Sequence, residues 1–495
     1  MKTDYQVGII GAGFGGLVAA LKLKDAGKNN FVIFERASQI GGTWRDNTYP
    51  GCACDVPSHL YSLSAAPNPE WRLKFSTQPE IFNYLKNVVT KNDLTKHIRL
   101  NTDIVEIKFI ELGGFWQVTD RTGNQTTVKA LISATGPLNR PVIPKFQGLE
   151  DFKGEKFHSS AWNSTCDLKG KQVAIIGTGA SSIQIVPSIA ADVAQLHVFQ
   201  RTPAWIAPRM NRKISSFEKK VYKYAPFMQK GVREVLYWIN EFLGKAFIGN
   251  KNIHKLSEYV ALQKLKKEVK DPEIRQKLTP QYKLGCKRVL VSDDYYPAFN
   301  RPNVNLITTY IEKITADSIV TKDGQIYPVD IIVFATGFEA AEVAIYTKIF
   351  DKNGQNLIDF WAKTGVEAYR GTTVSGYPNL LFMLGPNTGL GHNSVIHMME
   401  SQMTYMLQYL ELLEKSGEKA YLDVKSDVQK THNDLLQRQF EGTVWDSGCQ
   451  SWYRNKNGRI TTLYPRLTVQ FRREMQKMNE ADYQIVKNTE GVLSI

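Results

Sequence analysis

Two short segments constrain the fold more than anything else in the chain. Tyr5 to Ile10 reads YQVGII and runs directly into Gly11-Ala12-Gly13-Phe14-Gly15-Gly16. LVAALKLKDAG follows, a helical pattern closing at Gly27, then the apolar FVIF of 31–34, ended by Glu35. Strand, glycine turn, helix, strand and acid form a βαβ unit in which each piece has a mechanical task. Gly11 permits the turn, Gly13 lets the backbone approach a pyrophosphate at the helix N-terminus, and Gly16 lets helix and strand pack closely. Phe14 belongs to the same turn. Glu35 lies where an acid bonds ribose hydroxyls and disfavours a 2′-phosphate. The expected ligand is FAD or NAD.

The pattern recurs. QVAII (172–176) meets Gly177-Thr178-Gly179-Ala180-Ser181-Ser182, followed by IQIVPSIA and the strand-like LHVFQ. Ser182, small enough for close packing, takes the place of the third glycine. Arg201-Thr202 stands as far past Gly177 as Glu35 stands past Gly11. A guanidinium there pairs with a 2′-phosphate and points to NADP(H). Two dinucleotide sites of different preference in one chain imply electron transfer, with a flavin taking hydride from NADPH.

A chain of 495 residues has room for two or three domains at about 100–200 residues each. ALISATG (130–136) and IIVFATG (331–337) are each a strand ending in Ala-Thr-Gly, suited to carry the chain near a cofactor or across a domain boundary. The expected class is α/β, with two Rossmann-like dinucleotide-binding domains. Residues 1–145 form the first part of the FAD domain and 146–335 the NADP domain. A helical insertion at about 210–282 interrupts the latter. Residues 336–495 complete the FAD domain and the C-terminal region. Met398, Met399, Met403 and Met406 share a helical pattern and read as core rather than substrate pocket.

The remaining signals exclude alternatives. No run of about 18 apolar residues is present, so no spanning helix is expected. The start, MKTDYQVGII, enters a strand at once and lacks a signal peptide's apolar stretch. The expected location is the cytoplasm. Five cysteines, an odd number, fit reduced thiols. Cys52-Ala53-Cys54 is too tight for Cys-x-x-Cys, and no zinc-ligand spacing is found. No metal is expected.

Between the two nucleotide units lies Phe152-Lys153-Gly154-Glu155-Lys156-Phe157-His158-Ser159-Ser160-Ala161-Trp162. It resembles the fingerprint of type I flavin-dependent Baeyer–Villiger monooxygenases, Phe-x-Gly-x-x-x-His-x-x-x-Trp followed by Pro or Asp. Asn163 departs at the last position. Flavin-containing monooxygenases that oxidise nitrogen and sulfur carry a related motif, usually with another aromatic at its end, so Trp162 favours the ketone-oxidising branch. The likeness extends through Gly41-Gly42-Thr43-Trp44, Tyr49 to Asp55 (YPGCACD), Lys287-Arg288, Asp294-Tyr295-Tyr296 and Phe299 to Val304 (FNRPNV). It continues in Gly385-Pro386-Asn387, Cys449 to Tyr453 (CQSWY) and Gly458 to Pro465 (GRITTLYP).

The resemblance implies an FAD-containing, NADPH- and O2-dependent enzyme converting small lipophilic ketones to esters or lactones through a C4a-peroxyflavin, with sulfoxidation as a second activity. That chemistry needs the peroxide held as an anion and charge stabilisation for the adduct, and a fixed cation serves both. Arg288 matches the family's catalytic arginine and Asp55 the acid that orients it. An Arg–Asp pair also reads as purely structural. By resemblance Gly42, Thr43, Trp44, Asp55 and Tyr61 lie on the FAD path, Asn387 is a further cofactor-binding residue, and Lys287 assists the NADP phosphate. Trp452 reaches toward NADP, or is simply a buried loop tryptophan. His158 and Trp162 couple the domains. Two rival functions stand beside this one: a flavin-containing N- or S-oxidising monooxygenase, and a membrane-associated non-oxygenating NADPH flavoprotein.

The formal charge is +14, from 62 Lys+Arg against 48 Asp+Glu. Residues 212–283 alone hold 17 Lys+Arg against 7 Asp+Glu. No nucleic-acid motif accompanies this excess, so no nucleic acid is expected. Peripheral contact of the insertion with an anionic membrane is one reading; a solvated basic face over a packed core is the other. The sequence carries no sign of oligomeric state.

Overall fold

The protein is described by a computed structural model covering residues 2–339, 347–448, 451, 453–455 and 457–487. Two sheets dominate it. The larger has nine strands, and its parallel centre sets Gln125–Ser133, Tyr5–Ile10, Phe31–Phe34 and Ile98–Arg99 side by side. An antiparallel meander, Ile104–Ile110 to Phe115–Asp120, leads into Gln125–Ser133. Tyr377–Phe382 returns from far along the chain to pair parallel with that strand, Leu380 opposite Leu131.

The smaller sheet has five parallel strands, ordered Val304–Ile307, Gln195–Phe199, Gln172–Ile176, Ile331–Phe334 and Glu155–His158. Parallel strands covered on both faces read as unbroken apolar runs, which is why QVAII and IIVF carry no alternation. Both sheets thus show the expected α/β class. A three-stranded antiparallel unit, Ile311–Ile314, Ser318–Thr321 and Ile326–Pro328, was not anticipated from the sequence.

The two Ala-Thr-Gly segments have a shared physical role. Each follows a strand beside a glycine turn. A Cβ on Gly11 would stand 2.7 Å from the Ala134 carbonyl oxygen, and one on Gly177 2.5 Å from that of Ala335. Both glycines have positive φ, 100° and 109°, so neither space nor conformation admits a side chain. The stretches after these segments run side by side, with Val142 N donating to Gly337 O and Glu339 N to Arg140 O.

Four helices fill the insertion: Ser216–Tyr224, Pro226–Gly244, Lys251–Glu268 and Pro272–Lys277. Local chemistry starts each one. Ser215 and Glu218 make a capping box, Pro226 and Pro272 open their helices, and Asn250 and Asp271 accept first-turn N–H groups. The four methionines lie on Val395–Ser416 and are buried in the core, as expected. Cys52, Cys54 and Cys166 are free thiols. Cys286 is disulfide-bonded, which corrects the expectation of reduced thiols throughout, since an odd count excludes full pairing but not one pair.

Candidate active site

The first glycine turn is shaped for a ligand as well as for packing. A Cβ on Gly16 would come within 1.9 Å of the Gly11 carbonyl oxygen, so helix and strand require glycine there. At Gly13 the nearest atom to a Cβ would be Gly42 Cα at 3.7 Å, an ordinary contact. The protein's own packing therefore does not demand Gly13; the space it leaves lies at a helix N-terminus without a side-chain cap and without an acid in its first turn. Uncapped N–H groups beside open space fit a pyrophosphate. The second turn repeats this. Gly179 has nothing within 4 Å of a Cβ, and the helix Ser182–Ile189 also lacks a side-chain cap and an acidic first turn.

Glu35 is buried and braces the first turn. Its Oε2 accepts from Ala12 N at 2.9 Å, and its Oε1 from Ala37 N at 3.0 Å and Arg45 Nη1 at 2.9 Å. A carboxylate offers about four acceptor directions, so one remains for a ribose hydroxyl. Beyond the turn, Gly42 has φ 50° and Thr43 opens the short helix Thr43–Asp46. Trp44 Nε1 donates to Tyr61 Oη at 3.1 Å, and Phe14 meets the Tyr61 ring edge-on at 5.0 Å. Three residues of the FAD expectation thus form one aromatic wall.

Asp55 and Arg288 meet. Arg288 Nη2 and Nε donate to Asp55 Oδ2 at 2.5 Å and 3.1 Å. Their side chains keep 36% and 27% of their exposure, so the pair faces a space rather than a core. The Asp55 charge pushes the Arg288 pKa further up. Burial works against the Asp55 carboxylate, but the Arg288 charge and hydrogen bond hold it below its usual range. Each charge therefore favours the ionised form of the other.

The segment carrying Asp55 is anchored by residues that sequence reading missed. Gln184, on the helix after the second glycine turn, donates from Nε2 to Ala53 O at 2.9 Å. Its Oε1 accepts from Tyr49 Oη at 3.1 Å and Ala53 N at 3.3 Å. Gly51 leaves room for that helix, since a Cβ would stand 2.2 Å from Ser188 Oγ. Arg209 Nη2 donates to Cys54 O at 2.8 Å and adds a second positive charge near Asp55. Nothing in a lone glutamine or arginine marks such contacts, which arise from topology. Burial pushes the Cys52 thiol up to about 11 and Cys54 higher still. Both stay protonated, the wrong state for disulfide exchange.

Two cations come together on the second nucleotide unit. Lys287 is pushed down by burial and then by the neighbouring Arg201 charge, and its Nζ lies 5.1 Å from the Tyr282 ring centre. The repulsion that Lys287 feels from Arg201 is the kind of field that an anion would relieve. Thr178 Oγ1 donates to Thr202 O at 3.0 Å, tying the glycine turn to this corner. Ser182 is wholly buried.

His158 ends its strand. Its Nδ1 accepts from Ser160 N at 3.1 Å, and its ring meets Phe338 edge-on at 5.5 Å. Burial lowers its pKa, so it is neutral and poorly placed to carry protons. Trp162 packs edge-on against Phe157 at 5.0 Å. Asn387 Nδ2 donates to Ile460 O at 2.7 Å and Leu463 O at 2.9 Å. Its side-chain donors are thereby spent on the C-terminal region. Trp452 lies outside the described residues. Among the described residues no cluster suited to a metal ion is found.

Residues 4–351 match the flavin-binding monooxygenase-like family. The chain belongs to that family. A Baeyer–Villiger monooxygenase of Pseudomonas aeruginosa is 44% identical over 99% of this chain and 93% of its own length. Among solved structures, OTEMO in complex with FAD and NADP aligns with a TM-score of 0.87 at 27% identity, covering 98% of this chain and all of that one. A closed form of cyclohexanone monooxygenase aligns with a TM-score of 0.86 at 26% identity, again over 98% of this chain and 100% of that one. Membership of a monooxygenase family, with Baeyer–Villiger relatives along the whole chain, bears out the resemblance read from the motifs.

Proposed function

We propose that this flavoprotein monooxygenase is a Baeyer–Villiger enzyme that uses FAD, NADPH and O2 to convert lipophilic ketones to esters or lactones. The observation that carries this reading is the hydrogen-bonded Asp55–Arg288 ion pair, held on a segment bonded to the helix of the second nucleotide unit. The relatives and the structures solved with FAD and NADP support the cofactors.

Gly11, Gly13, Phe14, Gly16, Glu35, Gly42, Thr43, Trp44, Asp55, Tyr61 and the backbone at Asn387 are assigned to FAD. Gly177, Thr178, Gly179, Ser182, Arg201, Thr202, Lys287 and Trp452 are assigned to NADP(H). When bound, the flavin accepts hydride from NADPH and activates O2 for insertion beside a carbonyl. The protein's own part is electrostatic and positional. Arg288 places a fixed charge and N–H donors toward the negative charge that develops on the substrate oxygen. Asp55 fixes the guanidinium plane. Arg201 and Lys287 clamp the 2′-phosphate, and the Phe14–Trp44–Tyr61 wall excludes water. His158 and Trp162 couple domains divided at 1–145, 146–335 and 336–495, with the insertion at about 210–282. The enzyme is placed in the cytoplasm, with residues 212–283 in contact with a lipid surface. Among the described residues no helix is long and apolar enough to cross a membrane.

The test is a ketone panel with the FAD-loaded enzyme and product identification by mass spectrometry. Ester or lactone formed with NADPH consumption supports the proposal. N- or S-oxides without ester would favour the N- or S-oxidising rival, and hydrogen peroxide alone a non-oxygenating flavoprotein.

A further inference from the structure

The helix Pro226–Gly244 is amphipathic the wrong way round. At about 100° per residue, Gln229, Arg233, Tyr237 and Glu241 share one side, and it is this polar side that faces the protein. Gln229 Nε2 donates to Asn68 O at 2.7 Å, and Arg233 Nη1 to the carbonyls of His59, Leu60 and Ser62. Glu241 accepts from Asn393 Nδ2 at 2.8 Å, from Val469 N at 3.1 Å and from Thr468. Gln229 and Glu241 are 5% and 2% exposed.

The opposite side is apolar and bare. Val235, Trp238, Ile239 and Phe242 are 59%, 56%, 50% and 56% exposed, and together with Glu234 and Leu243 they line one continuous shallow surface. Phe227 and Met228 extend it, and Phe217 and Tyr224 stand exposed on the preceding helix, which packs against this one. A soluble surface helix shows the reverse arrangement, and a contiguous apolar patch of this kind marks a surface that is covered in use.

The surrounding charge says by what. Lys220, Lys223, Lys230, Lys245, Lys251 and Lys255 are exposed along these helices. Of the three acids on the first two of these helices, Glu218 is bound by Arg212 and Glu241 lies inside, which leaves Glu234 exposed at the apolar surface, outnumbered by the lysines. A second copy of the same face would set these lysines against one another. An anionic bilayer takes both features, its acyl boundary receiving the aromatic and aliphatic side chains while lysines snorkel to headgroup phosphates.

We infer that the outer face of Pro226–Gly244 seats the enzyme on an anionic lipid surface through Trp238, Ile239 and Phe242, flanked by lysines. This sharpens the lipid contact of the proposed function and stands independently of the ketone chemistry. The test is co-sedimentation of the FAD-loaded full-length enzyme with phosphatidylcholine vesicles, with and without phosphatidylglycerol, at low and high salt. Binding is expected only with phosphatidylglycerol, weakened by salt. Trp238→Glu/Phe242→Glu should lower vesicle-bound protein roughly tenfold or more, while NADPH oxidation in solution stays at the parent rate. Brominated lipid should quench the fluorescence of the parent but not that component in Trp238→Phe. Absence of binding to anionic vesicles at low salt overturns the inference. So does a concentration-dependent dimer, abolished by the double variant, in a protein that ignores lipid.

Discussion

Arg288 holds Asp55 through a single carboxylate oxygen: both Nη2 and Nε converge on Oδ2. That side-on grip fixes the plane of the guanidinium as well as its position. Replacing Arg288 by alanine should reduce ester formation by about 10²–10³-fold while NADPH still reduces the flavin at a measurable rate. Stopped-flow absorbance of flavin reduction beside product analysis separates the two steps. Undiminished ester formation would remove Arg288 from the mechanism.

The Arg201–Lys287 corner predicts a separation of a different kind. Arg201→Ala and Lys287→Ala should each raise KM for NADPH by about 10–100-fold with kcat nearly preserved, and the loss should be much smaller for NADH. Steady-state kinetics with both nucleotides checks this. Equal losses for the two would mean the corner does not read the 2′-phosphate.

Two glycines of one turn should fail in different ways. Gly16→Ala pushes a methyl group into the Gly11 carbonyl and is expected to yield little folded protein. Gly13→Ala meets only an ordinary contact, so the chain should fold with a near-native melting temperature and be purified without flavin. Circular dichroism and flavin absorbance distinguish these outcomes. A Gly13→Ala protein that keeps its flavin contradicts the assignment of that space to a pyrophosphate.

Acid should loosen the molecule in two stages. Burial pushes His59 and His432 down to about 4 and His397 to about 3. Each lies below the unfolded value of about 6.5, so the unfolded chain takes up the proton first. Stability present above that pH is lost as pH falls through it toward the folded values. Glu241 is held down to about 2: burial opposes this, but hydrogen bonds from His392, Thr468 and Asn393 prevail. Its contribution is complete above about pH 4.5 and disappears as pH falls toward 2. Melting temperature should therefore decline below about pH 6.5 and again below about pH 4.5. Glu241→Gln should cost about 2–4 kcal/mol near neutrality and flatten the second decline. A variant with the parental acid profile would show that the carboxylate does not clamp the insertion.

Features that depend on local spacing were legible in the sequence. Each glycine turn, with its strands, its helix and its Glu35 or Arg201, follows from residues within its own βαβ unit, where chain connectivity fixes geometry. The insertion was readable as helical because helical periodicity is a local pattern. What escaped depends on contacts across the chain. Gln184 and Arg209 hold the Asp55 segment from other elements, and no spacing rule announces that. The reversed polarity of Pro226–Gly244 was hidden for the same reason: a helical pattern shows that two faces differ, but only the fold decides which one is turned inward. The Asp55–Arg288 pairing came from family likeness rather than from physics, since an aspartate and an arginine so far apart in sequence have countless other partners.

Asp55 belongs to the first third of the chain but is moored, through Gln184, to the helix that follows the second glycine turn. A swing of that unit, the NADPH lobe of the proposed function, would tow the anchored loop along with it. The negative partner of Arg288 is in that sense a passenger of the coenzyme's lobe. On the proposed assignment, docking the reductant and setting the charge beside the reacting carbonyl would be one mechanical event, so a mutation that slackens the mooring should desynchronise them without touching either site.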